Sequence, residues 1–62
     1  MPMTPKQMIK LLKKNGFTKT RQRGSHTIMY NANKNITLPV PTHTKDLGKG
    51  LESEILKQAG LK

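Results

Sequence analysis

The apolar residues between Met8 and Leu12 recur at the spacing of one helix face, and lysines occupy positions towards the other side. Thr4 and Gln7 have the T-x-x-Q spacing of a capping box, which marks the start of a helix. Gly16 suits the left-handed backbone that follows a helix end. The pattern therefore predicts an amphipathic first helix between Thr4 and Gly16.

The central part of the chain alternates polar and apolar residues with the period of β-strands. We predict three short strands, at residues 17–21, 25–30 and 35–40. The turn between the first two is centred on Gly24. Residues 31–34 form the second turn, because asparagine tolerates left-handed backbone.

The third predicted strand has one apolar face, formed by Ile36, Leu38 and Val40. Pro39 and Pro41 alternate with these residues and have no N–H group for a ladder hydrogen bond. We therefore expect this strand to lie at an edge of the sheet or to end there.

A second helix is predicted near the end of the sequence, starting between residues 48 and 51 and running to Ala59. Gly60 is placed for a left-handed cap, after which Leu61 folds back onto the helix. Four apolar residues at helical spacing are expected to form the core face of this helix: Leu51, Ile55, Leu56 and Ala59.

The predicted order α-β-β-β-α favours an α+β fold in which two helices cover one face of a three-stranded antiparallel sheet. This layout matches that of double-stranded-RNA-binding-type domains. A sequence of 62 residues is expected to form one small domain, over residues 1–62. Fold alone does not establish a function.

The sequence is strongly basic, with 12 Lys and Arg against three Asp and Glu and a formal net charge of +9. Such a charge attracts polyanions, so a nucleic acid and an acidic protein are both candidate partners. Two histidines and no cysteine are a poor ligand set for a metal, and we expect no metal or cofactor. Without a long apolar run or a signal sequence, we expect a cytoplasmic protein that has no membrane contact.

His26 is the candidate catalytic residue, because it follows Gly24-Ser25 and has cations nearby in the sequence. Histidine exchanges protons near neutral pH, and nearby cations favour its neutral form. A neutral imidazole can remove the proton from an RNA 2′-hydroxyl, whose oxygen then attacks the neighbouring phosphorus. Metal-free RNA cleavage is thus chemically feasible, although a histidine at the start of a strand can also be purely structural.

Six residues are predicted to bind RNA. Cationic side chains would stabilise charge on the phosphoryl oxygens, and the backbone near Gly24 would form a small anion-binding nest. Ser25 would either orient His26 or cap the turn. His43 is a candidate for the general acid, or else an ordinary loop residue. The predicted RNA-binding residues are Lys10, Lys19, Arg21, Arg23, Gly24 and Ser25.

The alternation of strand residues leaves the direction of the His26 side chain open. If Ile28 faces the helices, His26 and Tyr30 lie on that side too, with His26 at the rim of the core. A bulge at Gly24 or Ser25 would instead turn His26 towards the open side of the sheet. For Tyr30 we expect core or cross-strand packing, since one aromatic ring is a weak platform for stacking bases.

Several short motifs, taken in order, resemble the HicA-type mRNA interferase toxins of bacterial and phage toxin–antitoxin pairs. Gly24-Ser25-His26 is similar to the G-S-H signature of that family, and Leu38-Pro39-Val40-Pro41 is similar to its hydrophobic-Pro-Val strand end. The resemblance extends over nearly the whole sequence, from the first helix and Gly16-Phe17 to Lys45-Asp46-Leu47 and residues 55–61.

This resemblance implies a double-stranded-RNA-binding-type fold that cleaves mRNA, with His26 as the catalytic residue. It also implies neutralisation by a HicB-type antitoxin that covers the active site, and we expect a monomer when the toxin is free. Thr27 stands where many members have a second histidine or another large residue, and Leu51-Glu52 where they often have Thr-Leu. These departures affect specificity and the start of the second helix, and they leave His26 in place.

Two other functions are compatible with the same residues. The basic surface fits a non-catalytic RNA-binding module, for which we expect salt-sensitive binding without strand scission. It also fits a protein-interaction domain whose positive face binds an acidic partner.

Overall fold

A computed structural model describes residues 3–62 as two helices and three strands. The strands form one antiparallel sheet in the order β1-β2-β3. This is the predicted α+β fold, and β3 lies at an edge of the sheet, as its prolines predicted. Each strand begins and ends within two residues of its predicted bounds. The elements are α1 (Pro5–Lys14), β1 (Thr18–Arg23), β2 (His26–Asn31), β3 (Ile36–Pro41) and α2 (Gly48–Gln58).

The sequence signals at both ends of α1 are confirmed. The Thr4 hydroxyl accepts a hydrogen bond from the Gln7 N–H (3.1 Å), and the Gln7 side chain accepts one from the Thr4 N–H (2.9 Å). After the helix, Gly16 has a φ of +90°, and the Phe17 N–H donates to the Leu12 carbonyl (3.0 Å). This cap turns Phe17 back into the core, where it is buried.

Both helices pack on the same face of the sheet, around one cluster of buried side chains. Met29 of β2 and Leu38 of β3 are cross-strand partners at its centre. Removal of this apolar surface from water is the main term that stabilises the fold. Neither helix in residues 3–62 is long and apolar enough to cross a membrane. The other buried members of the cluster are Met8, Leu12, Phe17, Val40, Leu47, Ile55 and Ala59.

The predicted core face of α2 is wrong at Leu51, which is 39% exposed. Leu47, just before the helix, is buried in the core instead, so this end of α2 needs no apolar contribution from Leu51. The Leu47 N–H donates to the Met3 carbonyl (2.9 Å), and this bond holds Leu47 beside the start of α1. The end of α2 is as predicted, because Gly60 has a φ of +78° and Leu61 folds back.

Asn31 is buried at the end of β2 and connects it to two other segments. Its amide nitrogen donates to the Asn15 carbonyl (3.2 Å), and its amide oxygen accepts from the Lys34 N–H (3.1 Å). The Lys34 ammonium in turn donates to the Ala59 carbonyl (3.2 Å). These bonds satisfy a buried polar side chain and join the ends of both helices to the turn after β2.

Candidate functional site

The side chains of β2 alternate between two environments. Those of Thr27, Met29 and Asn31 are buried beneath the helices, whereas those of His26, Ile28 and Tyr30 point to the uncovered side of the sheet. Their cross-strand partners extend this side, here called the open face, into three rows. In the order β1, β2, β3, the rows are Arg23, His26 and Pro41; Arg21, Ile28 and Pro39; and Thr18, Tyr30 and Thr37.

The hypothesis that Ile28 faces the helices is wrong, because Met29 is the residue that enters the core. His26 is consequently exposed on the open face, and it reaches this position without a bulge at Gly24 or Ser25. Tyr30 packs between the neighbouring strands on the same face rather than in the core. Its hydroxyl donates to Asn35 Oδ1 (3.3 Å).

A β-bulge in β1 puts two arginines on the same face as His26. The register with β2 shifts by one residue between Lys19 and Arg21, which leaves Thr20 as the extra residue. In a regular strand, Lys19, Arg21 and Arg23 would share one face. Because of the bulge, Lys19 lies on the side of the sheet that carries the helices, while both arginines lie with His26. Lys19 is therefore not brought next to the histidine.

The backbone beside His26 is held on the side of β3 as well as by its own hairpin. Gly24 has a φ of +57° and is the first of the two turn residues, which is the pattern of a type II′ hairpin turn. The Ser25 carbonyl accepts two hydrogen bonds from Thr42, one from its N–H (2.7 Å) and one from its hydroxyl (2.7 Å). The sheet is thus hydrogen-bonded up to the residue that precedes His26.

Two side chains support the same hairpin from the helix-covered side. Thr27 is 4% exposed, and its hydroxyl donates to Gln22 Oε1 (3.1 Å). The Gln22 amide nitrogen then donates to the Gly24 carbonyl (3.0 Å). The turn is therefore connected to a buried residue of β2, directly beneath the open face.

Thr27→Val is expected to lower the free energy of unfolding by about 0.5–1.5 kcal/mol. Valine keeps the shape of the buried side chain but removes the donor to Gln22. Urea denaturation followed by circular dichroism measures the loss. Thr37→Val is the matched control, because Thr37 is exposed on the open face. The same midpoint for Thr27→Val and the wild type would contradict a stabilising role for this hydrogen bond.

The structure separates Lys10, like Lys19, from His26. Lys10 lies on α1, in the helix layer, whereas His26 lies on the opposite side of the sheet. His43 is exposed in the loop after β3, two residues beyond Pro41, the cross-strand partner of His26. Arg21 and Arg23 are brought beside His26, and Gly24 and Ser25 form the turn before it. The functions of these residues stay predictions.

Sequence reasoning missed three apolar neighbours of His26, namely Ile28, Pro39 and Pro41. The sequence contains a signal for the prolines, since Leu38 and Val40 are predicted on the core face of β3. Strict alternation then puts both prolines on the other face. In the sequence-based prediction, the prolines indicate only an edge strand.

Comparison with protein families gives a match over nearly the whole chain. The profile of the family described as "HicA toxin of bacterial toxin-antitoxin" matches residues 5–61. The match spans all five elements of the fold and includes the open face. Comparisons with curated proteins and with solved structures gave no significant match.

Proposed function

The chain belongs to the HicA toxin family and is the toxin of a toxin–antitoxin pair, and on this premise we propose that it is a metal-independent endoribonuclease that cleaves mRNA. The observation that carries the proposal is the row of Arg23, His26 and Pro41, in which an exposed histidine has an arginine as its cross-strand partner. Arg21 adds a second cation in the next row. A proton acceptor beside two cations suits a phosphodiester substrate.

In the proposed mechanism, His26 acts as the general base. Its neutral ring takes the proton from a ribose 2′-hydroxyl, and the resulting oxygen nucleophile bonds to the adjacent phosphorus. The bond from phosphorus to the 5′-oxygen breaks, and that oxygen takes a proton from solvent or from a general acid, for which His43 is the candidate. Arg21 and Arg23 stabilise the negative charge that develops on the phosphoryl oxygens. The products are a 2′,3′-cyclic phosphate and a 5′-hydroxyl.

The apolar part of the open face gives the nucleotides beside the cleaved bond a surface for packing. Ile28 is half-buried between Arg21 and Pro39, and Pro41 adjoins His26. Flat apolar surfaces such as proline rings can contact a base or a ribose without selecting a sequence. The two arginines occupy only the β1 side, so a strand that crosses this face would meet its phosphate contacts there.

The chemistry of the product ends tests this proposal. Purified protein in EDTA is expected to cleave a labelled single-stranded RNA and to leave a 2′,3′-cyclic phosphate and a 5′-hydroxyl, because the nucleophile is the RNA's own 2′-oxygen. A matched substrate with 2′-deoxyribose at the cleaved position is the control, and it should bind but remain intact. Mass spectrometry of the products identifies the ends. Product with a 5′-phosphate, or binding without scission of either substrate, would overturn the proposal.

As the toxin of a pair, the protein has an antitoxin partner. We propose that this antitoxin is of the HicB type and that it covers the open face, so that His26 and the two arginines are inaccessible to RNA. The net charge of +9 favours an acidic surface on the partner. In the complex, cleavage of RNA should therefore be inhibited.

A further inference from the structure

The outer side of α1 carries a second concentration of positive charge, on the opposite side of the sheet from the arginines of the open face. Lys6, Lys10 and Lys13 are all exposed and recur at helical spacing, so that they share one side of the helix. They extend over about 10 Å along the helix axis, at 1.5 Å per residue. Together with Lys45 of the loop after β3, they are called the lysine face.

Two adjoining grooves of about 450 Å³ each run along the lysine face. The first lies between the lysine side chains of α1. The second shares Lys6 and Ile9 with it and continues onto Thr42, Thr44 and Lys45. Among the described residues that line these grooves, none is an aspartate or a glutamate. The charged side chains that line both grooves are therefore all positive, which is complementary to a polyanion.

The second groove ends next to the proposed cleavage site. Thr42 lines the groove, and its N–H and hydroxyl both donate to the Ser25 carbonyl (2.7 Å each). Ser25 directly precedes His26. A linear chain can therefore lie along α1, cross the loop at Thr42 and reach the open face at the end of the sheet where His26 lies. A compact partner bound over the open face would leave the outer side of α1 uncovered.

We propose that the lysine face anchors the RNA strand that is being cleaved, by binding phosphates of nucleotides outside the cleaved bond. This inference rests on the proposed ribonuclease function, whose cleavage site it extends. A lysine ammonium is a flexible point charge, so it binds phosphate without reading sequence. Ile9 is half-buried where the two grooves meet and gives a ribose or a base an apolar contact. The substrate is accordingly a single strand long enough to span both surfaces.

Binding measured with catalytically silenced protein tests this anchoring surface without depending on cleavage. In a His26→Ala background, the triple variant Lys6→Gln, Lys10→Gln, Lys13→Gln is compared with its parent by fluorescence anisotropy over a range of salt concentrations. The slope of log K against log salt is negative. For a long single-stranded RNA, its magnitude should decrease by about 2, at roughly 0.7 per neutralised lysine. For a short RNA that covers only the open face, the change should be much smaller.

The matched control carries the same change of charge on the other helix and the C-terminus. Lys49, Lys57 and Lys62 are exposed, and their replacement by glutamine should change the slope for long RNA far less. Equal effects of the two triple variants would show that only net charge matters and would overturn the proposal. Retained RNA binding with lost antitoxin binding would overturn it in favour of a protein-docking surface. If the wild-type protein does not cleave RNA, the ribonuclease function is contradicted. The comparison of the two triple variants would still show whether the lysine face binds RNA.

Discussion

His26→Ala is expected to lower the rate of RNA cleavage by about 10²–10⁴-fold, which is the usual contribution of a general base. The side chain is exposed at the first position of β2, so its removal leaves no cavity in the core. RNA binding should be retained, because phosphate affinity depends on lysine and arginine. Single-turnover cleavage of a labelled RNA in EDTA, together with anisotropy binding, measures the two quantities separately.

Two further variants make the His26 result specific. Thr37→Ala changes the same open face in the row farthest from His26, and it should leave the cleavage rate close to that of the wild type. His43→Ala tests the candidate general acid: a loss similar to that of His26→Ala would support an acid function, whereas an unchanged rate would assign His43 to the loop alone. If His26→Ala cleaves RNA as fast as the wild type, His26 is not the base.

Phe17→Ala should reduce the free energy of unfolding by about 3–5 kcal/mol, the typical effect of removing a buried aromatic ring. Phe17 is 1% exposed and packs among the core residues of both helices and the sheet. A domain of this size has a total stability of about 3–9 kcal/mol, at 0.05–0.15 kcal/mol per residue. The variant is therefore expected to lose about a third or more of its total stability, which thermal denaturation followed by circular dichroism measures as a lower midpoint.

Leu51→Ala is the control for that experiment, because it removes a large apolar side chain from an exposed site. Its stability should change by less than about 1 kcal/mol, as for most surface substitutions. A comparable loss in both variants would mean that Leu51 contributes to the core as much as Phe17 does. It would then contradict the packing described for α2.

The ends of the helices could be predicted from sequence because their determinants are local. The capping box of Thr4 and Gln7 and the left-handed glycines at 16 and 60 each depend on groups a few residues apart. The prolines of β3 indicate its position at an edge of the sheet, and the predicted packing of both helices on one face leaves the other face uncovered. The existence of the open face was thus predictable, and so was a histidine at the end of a strand.

The side chains that lie on the open face could not be predicted from the sequence, because their positions depend on the pairing of strands that are distant in the sequence. Ile28 and Met29 are both apolar, and alternation alone does not decide which of them enters the core. The bulge at Thr20 exists only in the register between β1 and β2, and it decides which cations lie beside His26. Leu51 and Leu47 compete for one end of the core in the same way, and only the path of the chain before α2 favours Leu47.

The prolines of β3 also limit how another protein can bind. The Thr42 N–H points to β2, so by alternation Pro39 and Pro41 occupy positions whose N–H would point outwards. The outer edge of β3 therefore lacks two donors, while the opposite edge, β1, is bulged at Thr20 and cationic. Neither edge gives an incoming strand a regular template for β-augmentation. An antitoxin is accordingly expected to bind across a face of the toxin and not to extend its sheet.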